Sequence, residues 1–247
     1  MKIAFIADLH ANREAVSEVL AHAKAQAAEQ YVFLGDFVGY GADPAWVVDQ
    51  IRDHVAQGAF AIKGNHDAAT VAGPQPTMVE DARFTVQWTH DQLDASQLDF
   101  LSTLPLTAVD QGRLYVHANA FAPPEWAYIH ARADAVRSMH ATACRLTFCG
   151  HVHEPRLYHL AVTGKVGEFH PVPEVPIPLS PQRQWLVIPG SSGQPRDHNP
   201  AACYATYDTD NGDLTYFRVP YDYETAAAKV RAAGLPQRLA KRLEDGG

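Results

Sequence analysis

The apolar and polar residues of this chain form two regions of different character. In the first region, short apolar runs at residues 2–7, 31–34 and 59–62 predict strands. Between them, Asn12 precedes a stretch whose apolar residues share one helical face. Asp43-Pro44 has the form of a helix cap followed by the first helical residue. This βαβαβ alternation predicts a parallel sheet with helices packed on it.

Two further helices are predicted before the pattern changes. Thr77 and Glu80 have the spacing of a capping box and open a helix that continues through Trp88. Asp94 caps a shorter helix that ends at Pro105. The remaining sequence is β-rich, with a predicted hairpin at residues 107–116 and strands at residues 146–149, 157–162, 185–188, 204–207 and 214–219.

The second region contains no recognisable linker or repeat. Residues 170–181 include five prolines, which favours an extended surface excursion over regular structure. Residues 224–243 predict two short helices interrupted at residues 234–236. We therefore expect one α/β domain over residues 1–247 that ends in these two helices.

Composition narrows the class of protein. Hydrophobic residues make up 47% of the chain and charged residues 19%, as in globular proteins. The apolar runs are far shorter than the ~20 residues of a membrane span. The net charge is −8 and no run of Lys or Arg exceeds two, which argues against binding of long nucleic acid. Three cysteines without paired spacing and a start unlike a secretory signal lead us to expect a cytoplasmic protein with a small substrate and no membrane partner.

Side chains that bind metal ions follow five of the predicted strands. Open α/β sheets bind ligands at the carboxyl ends of their strands, so we expect these side chains to meet. A single histidine at a strand end is usually just a hydrogen-bonded histidine, and the coincidence at five ends is what indicates a site. The five segments are Asp8-Leu9-His10, Gly35-Asp36, Gly64-Asn65-His66-Asp67, His117 and Gly150-His151-Val152-His153.

The number and spacing of these residues predict two metal ions. In extended backbone, residues i and i+2 point to the same side, so Asp8 with His10, and His151 with His153, should form two pincers. Histidine with carboxylate suits manganese, the ion we expect, or iron, zinc, cobalt or nickel. The candidate ligands are too many for one ion, whereas two ions that share a carboxylate would use them all: Asp8, His10, Asp36, Asn65, His117, His151 and His153.

Two such ions suggest a reaction. Held about 3.5–4 Å apart, they can clamp the attacking and leaving oxygens of a phosphoryl transfer. We therefore expect hydrolysis of a phosphate ester, in which a water or hydroxide that bridges the ions attacks phosphorus in line. His66 is left over from the ligand count and lies beside Asn65, so it is suited to protonate the leaving oxygen as the catalytic acid.

This ordered set of motifs resembles the calcineurin-like metallophosphoesterase superfamily over residues 1 to about 195. The resemblance implies a four-layer αββα sandwich with a dinuclear site at the top of the central sheets. It implies that Asp36 bridges the ions and that His66 is the catalytic acid. It assigns one ion to Asp8, His10, Asp36 and His153, and the other to Asp36, Asn65, His117 and His151.

Two segments bear on the branch of the superfamily. Protein phosphatases carry an Asp-Arg pair shortly after the second motif, and residues 35–41 lack it, which argues against that activity. Residues 189–197 resemble the Pro-Gly-Ser-x-Gly-Gln-Pro-Arg ending of small bacterial phosphodiesterases. Arg196 is then a candidate to bind substrate together with Asn65. The alternative is a loop arginine paired with Asp197 or with a backbone carbonyl.

We thus expect a phosphodiesterase acting on a small substrate, and two alternatives stay open. The first is a hydrolase of dinucleoside polyphosphates or phosphomonoesters, for which Tyr40, Trp126, Tyr128 and the proline-rich residues 171–181 could wall a nucleoside pocket or simply pack. The second is a protein-binding scaffold, as in a retromer coat subunit of the same fold that lacks the catalytic histidine. The presence of His66 argues against the scaffold.

Overall fold

The computed structural model describes residues 1–74 and 78–247. Its strands are β1 (Lys2–Ile6), β2 (Gln30–Phe33), β3 (Phe60–Ala61), β4 (Thr107–Asp110), β5 (Arg113–Val116), β6 (Leu146–Phe148), β7 (Arg156–Ala161), β8 (Val166–Phe169), β9 (Ile177–Pro178), β10 (Arg183–Ile188), β11 (Ala202–Asp208) and β12 (Asp213–Val219). Its helices are α1 (Arg13–Ala25), α2 (Pro44–Ala56), α3 (Asn65–Ala72), α4 (Glu80–Gln92), α5 (Ala95–Thr103), α6 (Arg132–His140), α7 (Tyr223–Ala232) and α8 (Gln237–Asp245).

The strands form two six-stranded sheets. The first has the order β3-β2-β1-β11-β12-β9, and the second has the order β4-β5-β6-β10-β7-β8. In the first sheet β1, β2 and β3 are parallel, and in the second β5, β6 and β10 are parallel. The predicted parallel sheet of the first region is confirmed. Because parallel strands end at the same edge of a sheet, the loops after β1, β2 and β3 lie together at one edge of the first sheet, and the loops after β5 and β6 lie together at one edge of the second.

Three apolar clusters separate the layers. The cluster between the sheets includes Phe5 and Phe148, whose rings stack at 3.7 Å. A second cluster packs α1, α2, α7 and α8 on the first sheet, and a third packs α6 on the second sheet. The order is therefore helices, sheet, sheet, helix, which confirms the four-layer αββα sandwich.

The predicted helix caps have different outcomes. The Asn12 side chain accepts a hydrogen bond from the Ala15 N–H at 3.1 Å, so it caps α1 as expected. Asp94 caps α5 in a capping box. Asp43 precedes α2, but within residues 1–74 and 78–247 its side chain makes no capping bond and instead pairs with Lys229 at 3.0 Å. The predicted cap Thr77 lies outside the described residues, and α4 begins at Glu80.

Some regular structure was not expected from the pattern. Helix α6 has only three buried residues and β8 is a short edge strand, so neither has a strong periodic signal. The proline-rich excursion is not wholly irregular, because β9 pairs Ile177 with Leu214 and Pro178 with Asp213. A proline is tolerated there because β9 is the edge of the sheet. In the described parts of the chain, no helix has the length and apolar character needed to cross a membrane.

Candidate metal centre

Left-handed backbone, rather than extended backbone, brings the candidate ligands together. Asp8, His10, Asp36, His151 and His153 have φ angles of 54°, 44°, 54°, 69° and 67°. The expected pincers in extended conformation are therefore wrong in their mechanism. The chain turns sharply as it leaves β1, β2 and β6, and these turns aim both members of each doublet at the same centre. The alternation of side chains along a strand does not predict this turn.

Asp67 holds two of these loops in place. Its buried carboxylate accepts hydrogen bonds from the backbone N–H groups of Asp36 and Phe37, both at 2.9 Å, and of Val38 at 3.3 Å. It also accepts one from Gly64 at 2.9 Å. Sequence reasoning gave Asp67 no role, although its place directly after His66 was visible. Its function is to tie the loop after β2 to the start of α3.

Close packing at Gly64 explains the glycine before Asn65. A Cβ atom at this position would collide with the backbone N and the carboxylate of Asp36. The Asp36 carboxylate also accepts a hydrogen bond from the His66 backbone N–H at 2.8 Å. The two loops therefore approach so closely that only glycine fits between them.

The segment after β10 supports the loop after β1. The Ser191 hydroxyl and the Gly193 N–H donate to the Asp8 carbonyl at 2.8 and 2.9 Å. The Asn12 side-chain amide donates to the Gly193 carbonyl at 2.8 Å. These hydrogen bonds explain why the motif contains a serine and a glycine at these positions, which the resemblance alone did not explain.

Two clusters of ligand atoms result, and Asp36 belongs to both. In each, the candidate ligand atoms lie within 4.8 Å of one another, so each cluster could hold a metal ion. The first cluster is Asp8, His10, Asp36 and His153; the second cluster is Asp36, His117 and His151. The Asn65 side-chain oxygen lies 3.1 Å from His117 Nε2, beside the second cluster. All seven predicted ligands therefore lie at one place.

Backbone carbonyls fix the orientation of the four imidazoles. His10 Nδ1, His117 Nδ1 and His153 Nδ1 donate to the carbonyls of Val38, Leu34 and Gln194 at 3.1, 2.7 and 2.7 Å. His151 Nε2 donates to the Trp126 carbonyl at 2.9 Å. Because a carbonyl oxygen only accepts, the nitrogen that contacts it carries a proton. The other ring nitrogen of each histidine faces the cluster.

The first cluster is suited to a cation. Burial lowers the pKa of His10 and of His153 well below the usual histidine range, so both rings are neutral. Their Nε2 atoms lie 3.1 Å apart, which sets two lone pairs against each other. Burial, and then the charge of Asp36, raise the pKa of Asp8 to about 7. Lone pairs and crowded carboxylates of this kind require positive charge, and they fit a borderline divalent metal ion.

The second cluster carries its positive charge on His117. Burial alone would lower the pKa of His117, but Asp36, 3.4 Å from Nε2, raises it to about 9. Burial alone would raise the pKa of Asp36, but His117 and then His66 hold it well below the usual range. Burial and the charge on His117 lower the pKa of His151 to about 3. The proton on His117 therefore supplies the positive charge that a bound metal ion would supply to the same groups.

His66 lies beside the first cluster on the first turn of α3. Its ring is 5.1 Å from that of His10 and 4.4 Å from that of Tyr40, measured between centroids. Among the described residues its Nδ1 has no hydrogen-bond partner, and this atom lies against Gly39. Burial lowers the pKa of His66. The ring is therefore oriented by packing and not by a carboxylate, in agreement with the missing Asp of the protein-phosphatase motif.

Arg196 reaches the mouth of the same centre. Its guanidinium lies 5.8 Å from the Tyr40 ring centroid and donates to the Gln194 side-chain oxygen at 3.1 Å. The alternative pairing with Asp197 is wrong, because Asp197 pairs with Arg218. Among the described residues, Arg196 Nε is buried without a partner.

The predicted aromatic wall is present, but its rings already have neighbours. Tyr128 stacks on His151 at 3.9 Å and on His130 at 4.9 Å, and Tyr40 packs between His10 and His66. Trp126 lies 5.8 Å from the His117 ring. Of the proline-rich segment, Pro171 and Pro173 line a groove that Arg196 also lines, whereas β9 pairs on the sheet edge.

Comparisons with known proteins agree with this arrangement. Residues 1–212 match the family model described as the calcineurin-like phosphoesterase superfamily domain. An uncharacterised protein of Methanocaldococcus jannaschii is 32% identical over 246 residues, which cover 98% of this chain and 96% of that protein.

Two solved structures extend the comparison. The crystal structure of a metallophosphoesterase from Sphaerobacter thermophilus is 34% identical with a TM-score of 0.87, covering 100% of this chain and 99% of that one. The structure of a hypothetical protein from Pyrococcus horikoshii has a TM-score of 0.78 at 20% identity, covering 100% of this chain and 98% of that one. The second likeness shows the fold alone.

Proposed function

Because the chain belongs to the calcineurin-like phosphoesterase superfamily, a metal-dependent family of phosphoester hydrolases, we propose that it hydrolyses a phosphodiester bond of a small substrate with the aid of two divalent metal ions. The observation that carries the proposal is the pair of buried histidine and carboxylate clusters that share Asp36. A shared carboxylate would keep two ions close together, as two-ion phosphoryl transfer requires.

The ligands of the two ions follow from the clusters. Asp8, His10, Asp36 and His153 would hold one ion, and Asp36, Asn65, His117 and His151 the other. When bound, such ions act as Lewis acids and supply an activated water. The mixture of histidine and carboxylate supports manganese, with iron, zinc, cobalt or nickel as alternatives.

Residues of the chain then provide proton transfer and substrate contacts. His66 Nδ1 is buried against Gly39, which leaves Nε2 as the nitrogen that donates a proton to the leaving oxygen. The Asn65 amide and the Arg196 guanidinium, which pairs with no carboxylate among the described residues, would hold the phosphoryl oxygens. The presence of His66 beside intact clusters supports catalysis over a protein-binding scaffold.

The nucleotide alternative has weaker support. A pocket for a nucleobase needs an aromatic face that is free to stack. The rings of Tyr40 and Tyr128 are already packed against histidines, so they offer their hydroxyls more readily than their faces. We therefore rank a dinucleoside polyphosphate, and likewise a phosphomonoester, below a small phosphodiester.

The test compares three substrates. The manganese-loaded protein should hydrolyse bis(p-nitrophenyl) phosphate faster than p-nitrophenyl phosphate or diadenosine tetraphosphate. His66→Ala should lower kcat by about 10²–10⁴-fold and keep its bound manganese, because general acid catalysis contributes that much. The matched control is His140→Ala, an exposed histidine at the end of α6, which should behave as the wild type. Faster turnover of the dinucleotide, or no turnover by protein with two bound ions, would contradict the proposal.

A further inference from the structure

A groove of about 560 Å³ adjoins the metal centre at Arg196. The Arg196 backbone N–H donates to the carbonyl of the candidate ligand His153 at 3.3 Å, and its guanidinium lies 5.8 Å from the Tyr40 ring centroid. The residues directly after His153, from Glu154 to Arg156, line the groove as well. Its volume falls within the about 300–1,000 Å³ of small-molecule sites and exceeds what a phosphoryl group fills. The groove therefore has room for the organic part of a phosphoester whose phosphorus lies at the metal centre.

The proline-rich segment forms one wall of this groove, and the first sheet holds that wall in place. His170, Pro171 and Pro173 line the groove. The Glu174 N–H donates to the Tyr216 carbonyl at 2.8 Å, and β9 then pairs at the sheet edge. Because proline also fixes its own backbone angle φ, this wall has little conformational freedom to lose when a ligand binds.

The charges in the body of the groove are balanced by ion pairs. Arg156 pairs with Glu154 at 2.7 Å, and Arg218 pairs with Asp197; all four side chains belong to residues that line the groove. A second charged group on a ligand would have to compete with these partners, and a partner that is displaced leaves a partly buried charge uncompensated. The groove therefore favours a neutral group over a further anion.

Hydrogen-bond donors and acceptors are combined in the groove. Arg156 Nη1 donates to His170 Nε2 at 3.0 Å, which leaves Nδ1 of the neutral ring to donate to a ligand. Asn199 Oδ1 accepts from the Ala201 N–H at 3.0 Å, which leaves the Asn199 NH₂ group as a second donor. The Glu154 carboxylate is an acceptor. Because a hydroxyl group both donates and accepts, it matches such a lining better than an alkyl group does.

Tyr216 and Phe217 also line the groove but offer no face to a nucleobase. Tyr216 is 1% exposed, and its hydroxyl donates to the Arg156 carbonyl at 2.8 Å. Phe217 is 7% exposed and stacks on Tyr204. A nucleobase would find nothing to stack on at these two rings, which favours a hydroxyl-bearing group without a base.

We propose that this groove binds an alcohol group of the phosphoester and that this alcohol carries further hydroxyl groups, as a polyol or a sugar does. This inference rests on the proposed function and specifies its substrate class. His170 and Asn199 then determine specificity through hydrogen bonds to those hydroxyls, whereas the metal centre binds the phosphoryl group.

Two phosphonates that differ only in their hydroxyl groups test the proposal. Propylphosphonate and 2,3-dihydroxypropylphosphonate share the phosphonate and the carbon chain, and neither has a phosphoester bond to hydrolyse. Calorimetric titration into the manganese-loaded protein should show about ten- to a hundredfold tighter binding of the dihydroxy compound, as expected for two added hydrogen bonds. His170→Phe keeps a flat ring but cannot donate, so it should reduce this preference by about three- to tenfold and change the affinity for propylphosphonate by less than about twofold.

A second variant and a matched control complete the test. Asn199→Trp fills the groove from an exposed position and should abolish the preference. The control is His140→Phe, at an exposed histidine at the end of α6, which should retain the preference.

The titrations separate this inference from the proposed function because they need no turnover. A preference that falls in either groove variant but not in the control supports the groove even when no phosphodiester is hydrolysed, in which case only the proposed function fails. Equal affinities of the wild type for the two phosphonates overturn the inference and leave the proposed function standing. A preference that both variants retain, or an equal loss of affinity for both phosphonates, overturns it too.

Discussion

Left-handed backbone at five of the candidate ligands costs free energy that neighbouring residues must supply. A non-glycine residue in this conformation costs about 1–2 kcal/mol, and the cost recurs at Asp8, His10, Asp36, His151 and His153. Several of the hydrogen bonds that stabilise these turns come from side chains that are not themselves candidate metal ligands. These residues escaped sequence reasoning because a backbone turn, unlike a strand or a helix, has no periodic pattern.

The first prediction concerns Asp67. The Asp67 carboxylate accepts from four backbone N–H groups, two at each oxygen, and Asp67→Asn turns an NH₂ group toward two of those donors. We expect the free energy of unfolding of the metal-free protein to fall by about 2–4 kcal/mol, since each buried N–H group that loses its acceptor costs about 1–3 kcal/mol. Urea denaturation measures the loss. Asp53→Asn, an exposed carboxylate on α2, is the control and should change stability by under about 0.5 kcal/mol. Equal stabilities of the two variants would contradict this role.

The second prediction concerns Asn119, a buried residue two positions after His117. Its side chain donates to the Ala127 carbonyl at 2.9 Å and accepts from the Ala122 N–H at 2.8 Å, which fixes the loop whose Trp126 carbonyl orients His151. Asn119→Ala should weaken binding of one metal ion by about 10–100-fold and spare the other, because loss of an outer hydrogen bond to a ligand has that effect.

Calorimetric titration of manganese into the metal-free variant measures both affinities. The control is Asn211→Ala, which removes a comparable bond to the Asp213 N–H in a turn on the first sheet. Two unchanged manganese affinities in Asn119→Ala would show that the loop does not position His151.

At the scale of the elements, two helices begin with similar sequences and different chemistry. Asn12 caps α1 and also donates to the Gly193 carbonyl and the Tyr221 hydroxyl, at 2.8 and 3.2 Å. Asp43 stands at the equivalent place before α2, but its carboxylate pairs with a partly exposed Lys229, which Glu14 also contacts. A sequence indicates that a capping residue is present, but not which partner its side chain takes.

The third prediction compares these two caps. Asn12→Ala should lower the free energy of unfolding by about 1–3 kcal/mol, because a cap and a buried hydrogen bond are lost together. Asp43→Ala should cost under about 1 kcal/mol, because an ion pair whose lysine is partly exposed contributes little. Thermal and urea unfolding of both variants decide the order. A larger loss in Asp43→Ala would mean that the ionic contact between α1, α2 and α7 dominates over capping.

The elements themselves were predictable where their periodicity was strong. Strands β1, β2, β5 and β6 end within one residue of the ends of the apolar runs, which is why the candidate ligands after them could be identified from sequence. Helix α6 was missed because only Ala135, Ser138 and Met139 are buried. Strand β9 was missed because prolines conceal a two-residue edge strand.

For the whole molecule, the layer order could be inferred only from the resemblance. Pairing of β1 between β2 and β11 joins residues that are far apart in the chain, such as Ile3 with Tyr207, and no local pattern encodes that register. The resemblance supplied the architecture and the assignment of ligands to each ion, whereas the ligand set itself followed from the residues at the strand ends.

The fourth prediction concerns metal binding and global stability. If both clusters bind manganese, an ion at a hundred times its Kd should raise the free energy of unfolding by about 2.7 kcal/mol per site. For a chain of this length, that corresponds to roughly 5–10 °C in Tm per site. Differential scanning calorimetry at increasing manganese, reversed by chelator, measures the shift. His140→Ala should show the full shift, and a wild-type Tm independent of manganese would contradict metal binding by the clusters.

The pairing of β1 with β11 also has a consequence for biosynthesis. One edge of β1 is covered by β2 soon after both are made, but the other edge has no partner until residues 202–208 leave the ribosome. For most of translation the nascent protein therefore carries an unprotected strand edge, which invites association between ribosome-bound chains. We therefore expect this fold to depend on chaperones while the chain is being synthesised rather than after it has folded.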